Sequence, residues 1–221
     1  MTSRKNPFYF LLGGLLVALL ITPVVTERFP GVAGLLLIVT LLIAALSLSA
    51  SKRMYRTAWA LIATNIVLDV VGRFHPHLGI HIAEAAVLSA FFVLATLFAF
   101  KRVLDGEYVD LNRIAGAISI YMLLGLIWTS FYFFLSLIDP QAFNGLPNLS
   151  SPDWKLMDSA YMDLLYYSYV TLSTLGYGDI TPVSRAAQAL SYLEAICGVM
   201  YVAVLVAALV GSYGNKRVAQ A

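Results

Sequence analysis

The sequence predicts an all-α membrane protein with six transmembrane helices, and a short re-entrant helix and irregular loop between the fifth and the sixth. Three observations predict it. Hydrophobic residues make up 60% of the 221 positions and charged residues 12%, which is more apolar surface than a soluble core of this size can hide. Several apolar stretches approach or exceed the roughly 20 residues that cross the hydrocarbon. Between the last two lies a segment too short and too polar to cross, and it runs into a Gly-rich stretch.

The first span is Phe8 to Val25. It follows Arg4 and Lys5, as a signal peptide would, but its length and the lack of a small-residue cleavage site before Glu27 predict a retained helix. Val32–Ala50, Thr57–Val71 and Ile80–Phe100 follow. The third span is short, because Arg56 stands near one end and Asp69 and Arg73 near the other; its flanks snorkel or its neighbours shield it. Ile114–Ile138 and Ser184–Val210 complete the set and put both termini on one side. With that side cytoplasmic, Arg4, Lys5, Lys52, Arg53, Arg56, Lys101, Arg102, Arg113, Lys216 and Arg217 are inside. Only Arg28, Arg73, Lys155 and Arg185 of the 14 basic residues are outside, as the positive-inside rule requires. The single cysteine, Cys197, lies in an apolar run, which excludes an intramolecular disulfide framework and a Cys-based metal cluster.

The chain divides into a four-helix unit at residues 1–102, a linker at 103–113 and a last unit at 114–221. In the linker, Val103, Leu104, Tyr108, Val109 and Leu111 line one side of a short interfacial helix; the alternative is an ordinary loop carrying Asp105, Glu107 and Asp110. Asp139 to Lys155 is rich in Pro, Asn, Ser and Gly and reads as an extracellular loop. Asn148-Leu149-Ser150 within it matches a glycosylation acceptor, a pattern frequent by chance. Ser159 to Thr171 is the re-entrant helix, with Asp158 or Ser159 as N-cap. Irregular backbone is tolerated at membrane depth only where protein or water surrounds it, so this location already points to a pore.

The stretch Thr171-Leu172-Ser173-Thr174-Leu175-Gly176-Tyr177-Gly178-Asp179 follows that helix. It resembles the selectivity filter of the potassium-channel family, most specifically over Thr174 to Asp179. The chemistry gives each residue type its place. An ion sheds water only where oxygens replace it, since burying it unpaired costs on the order of 20 kcal/mol. Backbone carbonyls of Thr174, Leu175, Gly176 and Tyr177, with the Thr174 hydroxyl, are the potassium ligands the resemblance implies. Gly176 and Gly178 suit backbone turns closed to a side chain, and Leu175 and Tyr177 point into the protein. Asp179 concentrates cations at the outer mouth. One loop supplies a quarter of a ring, so the resemblance implies a homotetramer in membrane lipid that conducts potassium. It implies no enzyme, no cofactor beyond the transported ions and no nucleic-acid partner.

In the resemblance an aromatic residue of the pore helix packs beside the filter tyrosine. Tyr167 aligns with that position and Tyr166 is its neighbour, so both are expected to support the filter. Val170 stands where some relatives carry a glutamate bonded to the outer aspartate; here Asp179 needs another partner or stays hydrated. Gly198, in the last span, resembles the family's inner-helix hinge, with close helix packing as the alternative. Glu194 is an ionisable group well inside that span, and it faces the cavity as a cation-attracting ring, pairs with a neighbouring helix, or is a protonated structural group.

Six spans with the pore between the last two resemble the voltage-gated architecture, but Ile80 to Phe100 contains no Arg or Lys, so steep voltage gating is not expected. His75, His77 and His81 cluster near the outside and read as loop or packing residues. Only Gly211 to Ala221 follow the last span, too few residues for a ligand-sensing domain. A porter would more naturally show internal repeats with broken helices, whereas a single re-entrant loop is present here. Compact loops suggest a prokaryotic inner membrane.

Overall fold

The computed structural model describes residues 7–29, 33–48, 52–104, 110–147, 149 and 153–218. They form seven helices and one two-stranded ladder: α1 (Pro7–Arg28), α2 (Ala33–Leu48), α3 (Lys52–Phe74), α4 (Leu78–Leu104), α5 (Leu111–Ile138), β1 (Phe143–Asn144), α6 (Trp154–Leu172), β2 (Thr181–Pro182) and α7 (Arg185–Val218). Five of the helices, α1, α3, α4, α5 and α7, are long and apolar enough to cross a membrane. The chain is therefore an almost wholly α-helical, multi-pass membrane protein.

Among the described residues, five helices and not the expected six are of membrane length, and α2 is the one that falls short. Its 16 residues span about 24 Å at 1.5 Å per residue, short of the roughly 30 Å hydrocarbon core. The opposite happens in α3, expected to be the shortest span and in fact 23 residues long. Arg73 pairs with Asp69 one turn earlier at 3.0 Å, so the two charges neutralise each other along the helix instead of ending it.

α5 begins at Leu111, ahead of the first apolar residue at Ile114, because Asp110 caps it by accepting from the Arg113 backbone N–H at 2.8 Å. Residues 105–109, the middle of the expected linker, lie outside the described residues, as do Asn148 and Ser150 of the acceptor pattern. α5 is the most buried of the long helices and packs against α1, α4, α6 and α7. Its first turns are small, with Ala115, Gly116 and Ala117, which lets Phe8 of α1 press against Gly116. The Phe8 backbone N–H also donates to Asn112 Oδ1 at 3.2 Å. Of the first four helices, α1 and α4 pack on α5, and α2 and α3 pack on those two; α6 and α7 also pack on α5.

Two residue pairs bracket α6 along the chain. β1 and β2 pair antiparallel, Phe143 opposite Pro182 and Asn144 opposite Thr181. They tie the segment after α5 to the segment after the filter-like stretch. α6 itself starts at Trp154, capped by Asp153, whose side chain accepts from Lys155 N–H at 3.0 Å. This corrects the expected cap at Asp158 or Ser159. Asp158 lies one turn inside the helix, facing Arg73, Asp69, Glu84 and His81 of α3 and α4.

Candidate functional site

α6 is 19 residues long and ends at Leu172, after which the chain reverses through Ser173 to Asp179. The four last carbonyls of a helix have no partner within it. Here the following stretch supplies the donors: Leu175 N–H and Gly176 N–H both reach the Val170 carbonyl, at 2.9 and 3.3 Å, and Thr174 N–H reaches the Thr171 carbonyl at 2.9 Å. The start of the loop is therefore suspended from the end of α6, and any movement of that end is transmitted to it.

The backbone of the loop alternates. Thr174, Gly176 and Gly178 have φ of 60°, 60° and 81°, while Leu175 and Tyr177 between them do not take positive values. Glycine adopts this region freely, whereas a β-branched threonine there is a real outlier that its surroundings must hold in place. Backbone that alternates between mirror-related wells can turn successive carbonyls toward one side. All residues from Ser173 to Asp179 are exposed in the single chain, with Leu175 55% and Tyr177 66% exposed.

A family model for ion channels matches residues 120–213. The match begins within α5, passes through α6 and the loop, and ends in α7; the first four helices lie outside it. No curated protein and no solved structure matches the chain. This part of the molecule is ion-channel-like, and the family it matches is not catalytic. Among the described residues, no group of three or more His, Cys, Asp or Glu side chains is placed to hold a metal ion.

The two tyrosines divide their work differently from the expectation that Tyr167 abuts Tyr177. Tyr166 is the one that stacks on Tyr177, with ring centroids 6.4 Å apart and planes 7° from parallel. Its hydroxyl also bonds to Asp179, and that bond, with the backbone N–H groups of Asp179 and Ile180, holds the Asp179 carboxyl below the usual carboxylate range. Asp179 thus finds a partner on α6 one turn before Val170. Tyr167 turns inward instead. Its hydroxyl is 2.6 Å from Ser191 Oγ on α7, and its ring packs edge-on against Tyr132 and Phe143.

α7 presents one polar and small-residue stripe to α5 and α6. Ser191 meets Tyr167, Glu194 meets Ser168 and Tyr132, Gly198 meets Leu172, and Tyr201 donates to the Ala117 carbonyl at 2.6 Å. The spacing of three to four residues keeps this stripe on one face of the helix. At Gly198 a Cβ would overlap the Leu172 carbonyl oxygen, so the close approach of α7 to the end of α6 depends on glycine there. Glu194 is fully buried within the single chain and accepts from Tyr132 Oη at 2.5 Å, with Ser168 Oγ 2.6 Å from its other oxygen. Sequence reasoning passes over Ser168, Tyr132 and Ser191. Their only signal is a hydroxyl inside an apolar helix, which has many bland explanations.

Proposed function

We propose that the protein is the subunit of a potassium-selective channel, four copies surrounding one pore, without steep voltage gating. The observation that carries this reading is the alternation of positive φ at Thr174, Gly176 and Gly178 in a loop suspended from the end of α6. Potassium is held by the carbonyls of Thr174, Leu175, Gly176 and Tyr177 and by the Thr174 hydroxyl, with Asp179 at the outer mouth. The C-terminal end of α6 adds a partial negative charge on the inner side. Gly198 is the candidate hinge of the inner helix α7 as well as its contact with α6.

Assembly follows from geometry. Each chain offers one row of oxygens, and the ion needs a ring. The exposed side chains of Leu175 and Tyr177, and of Leu193, Ile196, Val199 and Met200 on α7, supply the apolar surface that neighbouring copies, the cavity and lipid would cover. We place α2 as a sixth, short crossing, with both termini cytoplasmic in a cell membrane. Residues 1–102 then form a four-helix unit, 103–113 a linker and 114–221 the pore unit. α4 carries its basic residues only at its end, where Arg102 donates to the Ser47 carbonyl at 3.1 Å and lies over the Phe8 ring. An anchored terminal arginine does not make a ladder of gating charges.

Flux into liposomes containing the purified protein tests the reading. Potassium should pass in preference to sodium, and Tyr177→Ala or Gly178→Ala should abolish the preference. Equal permeability of the unmodified protein refutes potassium selectivity. Mass measurement of the intact assembly should give four chains, and a functional dimer would refute the ring.

A further inference from the structure

Glu194 sits where three helices meet, and its surroundings permit an accounting of protons. α5 contributes Tyr132 and the Gly125 carbonyl, α6 contributes Ser168, and α7 contributes Glu194 itself. Glu194, Tyr132 and Ser168 are each fully buried. Three short oxygen–oxygen contacts run in series: Tyr132 Oη to Glu194 Oε2 at 2.5 Å, Glu194 Oε1 to Ser168 Oγ at 2.6 Å, and Ser168 Oγ to the Gly125 carbonyl at 2.8 Å. Each contact needs a hydrogen between its oxygens, because two bare lone-pair faces at such separations repel. The carbonyl has no hydrogen, and the tyrosine and serine have one each. Two hydrogens cannot serve three contacts, so the third belongs to the carboxyl group. With a hydrogen on Oε1 the chain is complete: Tyr132 donates to Oε2, Oε1–H donates to Ser168, and Ser168 donates to Gly125.

The position of this chain relative to the loop gives it a purpose. Ser168 is one turn from Leu172, the last residue of α6, and the carbonyl that holds Leu175 and Gly176 is that of Val170, two residues on. The partners of the carboxyl group are hydroxyls, not a basic side chain that would stabilise a buried charge. We propose that Glu194 carries a proton and serves as a neutral positioning residue, clamping the pore helix α6 to α7 and α5, and is not a charged ring of the cavity. The positioning role rests on the channel reading above; the proton on Glu194 does not.

Two measurements on the full-length protein in lipid separate these parts. The infrared difference between the unmodified protein and Glu194→Gln at neutral pH should show loss of a protonated carboxylic acid carbonyl band. Loss of carboxylate bands instead overturns the proton. Bi-ionic reversal potentials then read the potassium-to-sodium permeability ratio. Glutamine can accept from Tyr132 and donate to Ser168 as the acid does, so Glu194→Gln should stay within about twofold of the unmodified protein. Glu194→Leu and Ser168→Ala each break the clamp and should lower the ratio about fivefold or more, the equilibrium effect of roughly one lost buried hydrogen bond. A ratio in Glu194→Gln as low as in Glu194→Leu, or no change in either Glu194→Leu or Ser168→Ala, overturns the positioning role. Where Glu194→Leu does not fold, Ser168→Ala decides the matter. An unmodified protein with no potassium preference sinks the channel reading and the positioning role with it, and the infrared band still judges the proton.

Discussion

Replacing Gly198 by alanine adds one methyl group at the tightest helix contact near the loop. The added Cβ would overlap the Leu172 carbonyl oxygen and lie 3.0 Å from its carbon and 3.2 Å from the Leu172 Cδ1. Non-bonded carbons are comfortable at about 3.5–4.0 Å, so backbone has to move. Neither side yields cheaply: α7 is held to α6 through Ser191 and Glu194, and the Leu172 carbonyl also accepts from Tyr121 Oη at 3.2 Å. Overpacking of this kind costs about 1–3 kcal/mol, against which alanine recovers about 0.5–1 kcal/mol of helix preference over glycine. The net expectation is a loss of about 0–2.5 kcal/mol, with the end of α6 displaced. Gly13 in α1 is the internal control, since nothing stands within 4 Å of its added Cβ. Gly13→Ala should raise the apparent unfolding midpoint of the detergent-solubilised protein or leave it unchanged, and Gly198→Ala should lower it and reduce the potassium-to-sodium permeability ratio. If both variants unfold together with unaltered selectivity, the close approach is not what Gly198 is for. A change confined to open probability would then favour the hinge.

Three further outcomes are expected. Tyr166→Phe deletes the hydroxyl that bonds Asp179 while keeping the ring stacked on Tyr177; it should speed the decay of current during sustained conduction, and Asp179→Asn should add little to it in a double-mutant comparison. Burial, opposed by Arg73, pushes the Asp158 carboxyl up to about 6. The folded protein therefore binds more protons than the unfolded chain between about pH 4 and about pH 6, so stability should fall as pH rises through that window, by on the order of 2–3 kcal/mol, and Asp158→Asn should flatten the change in unfolding midpoint. Open probability should vary only shallowly with voltage between about −100 and +100 mV, since each charge crossing the field contributes about 2.3 kcal/mol per 100 mV and α4 has no basic residue before Lys101 and only the single carboxylate Glu84. A steep sigmoid that survives neutralising Lys101 and Arg102 would refute this last expectation.

Much of the architecture is legible in the sequence because lipid imposes simple rules. Apolar runs mark the long helices, and the polar interruption before Thr174 marks α6. The boundaries move where local bonds extend a helix past its apolar run, as Asp110 does for α5, Asp153 for α6 and the Asp69–Arg73 pair for α3. The exchange of roles between Tyr166 and Tyr167 is not legible. Neighbouring residues on a helix differ by about 100° in direction, and which of them meets the loop depends on how α6 is rotated against α5.

The glycines of the loop are legible in the chain: Gly176 and Gly178 take the positive φ that glycine adopts freely, whereas the positive φ at Thr174 is not written in its residue type and has to be held by its surroundings. The isolated polar groups in the last helix acquire a meaning only from the packing of the helices. A glutamate well inside an apolar span reads equally as a pore charge or a packing group, because a single helix has no inside. Once α7 lies against α5 and α6, the face carrying Ser191, Glu194 and Gly198 is enclosed by Tyr167, Ser168, Tyr132 and Leu172, and Glu194 is shut away from solvent within its own chain. Long-range packing sets that rotation, through contacts between residues up to 84 positions apart, and no local pattern in the sequence encodes it.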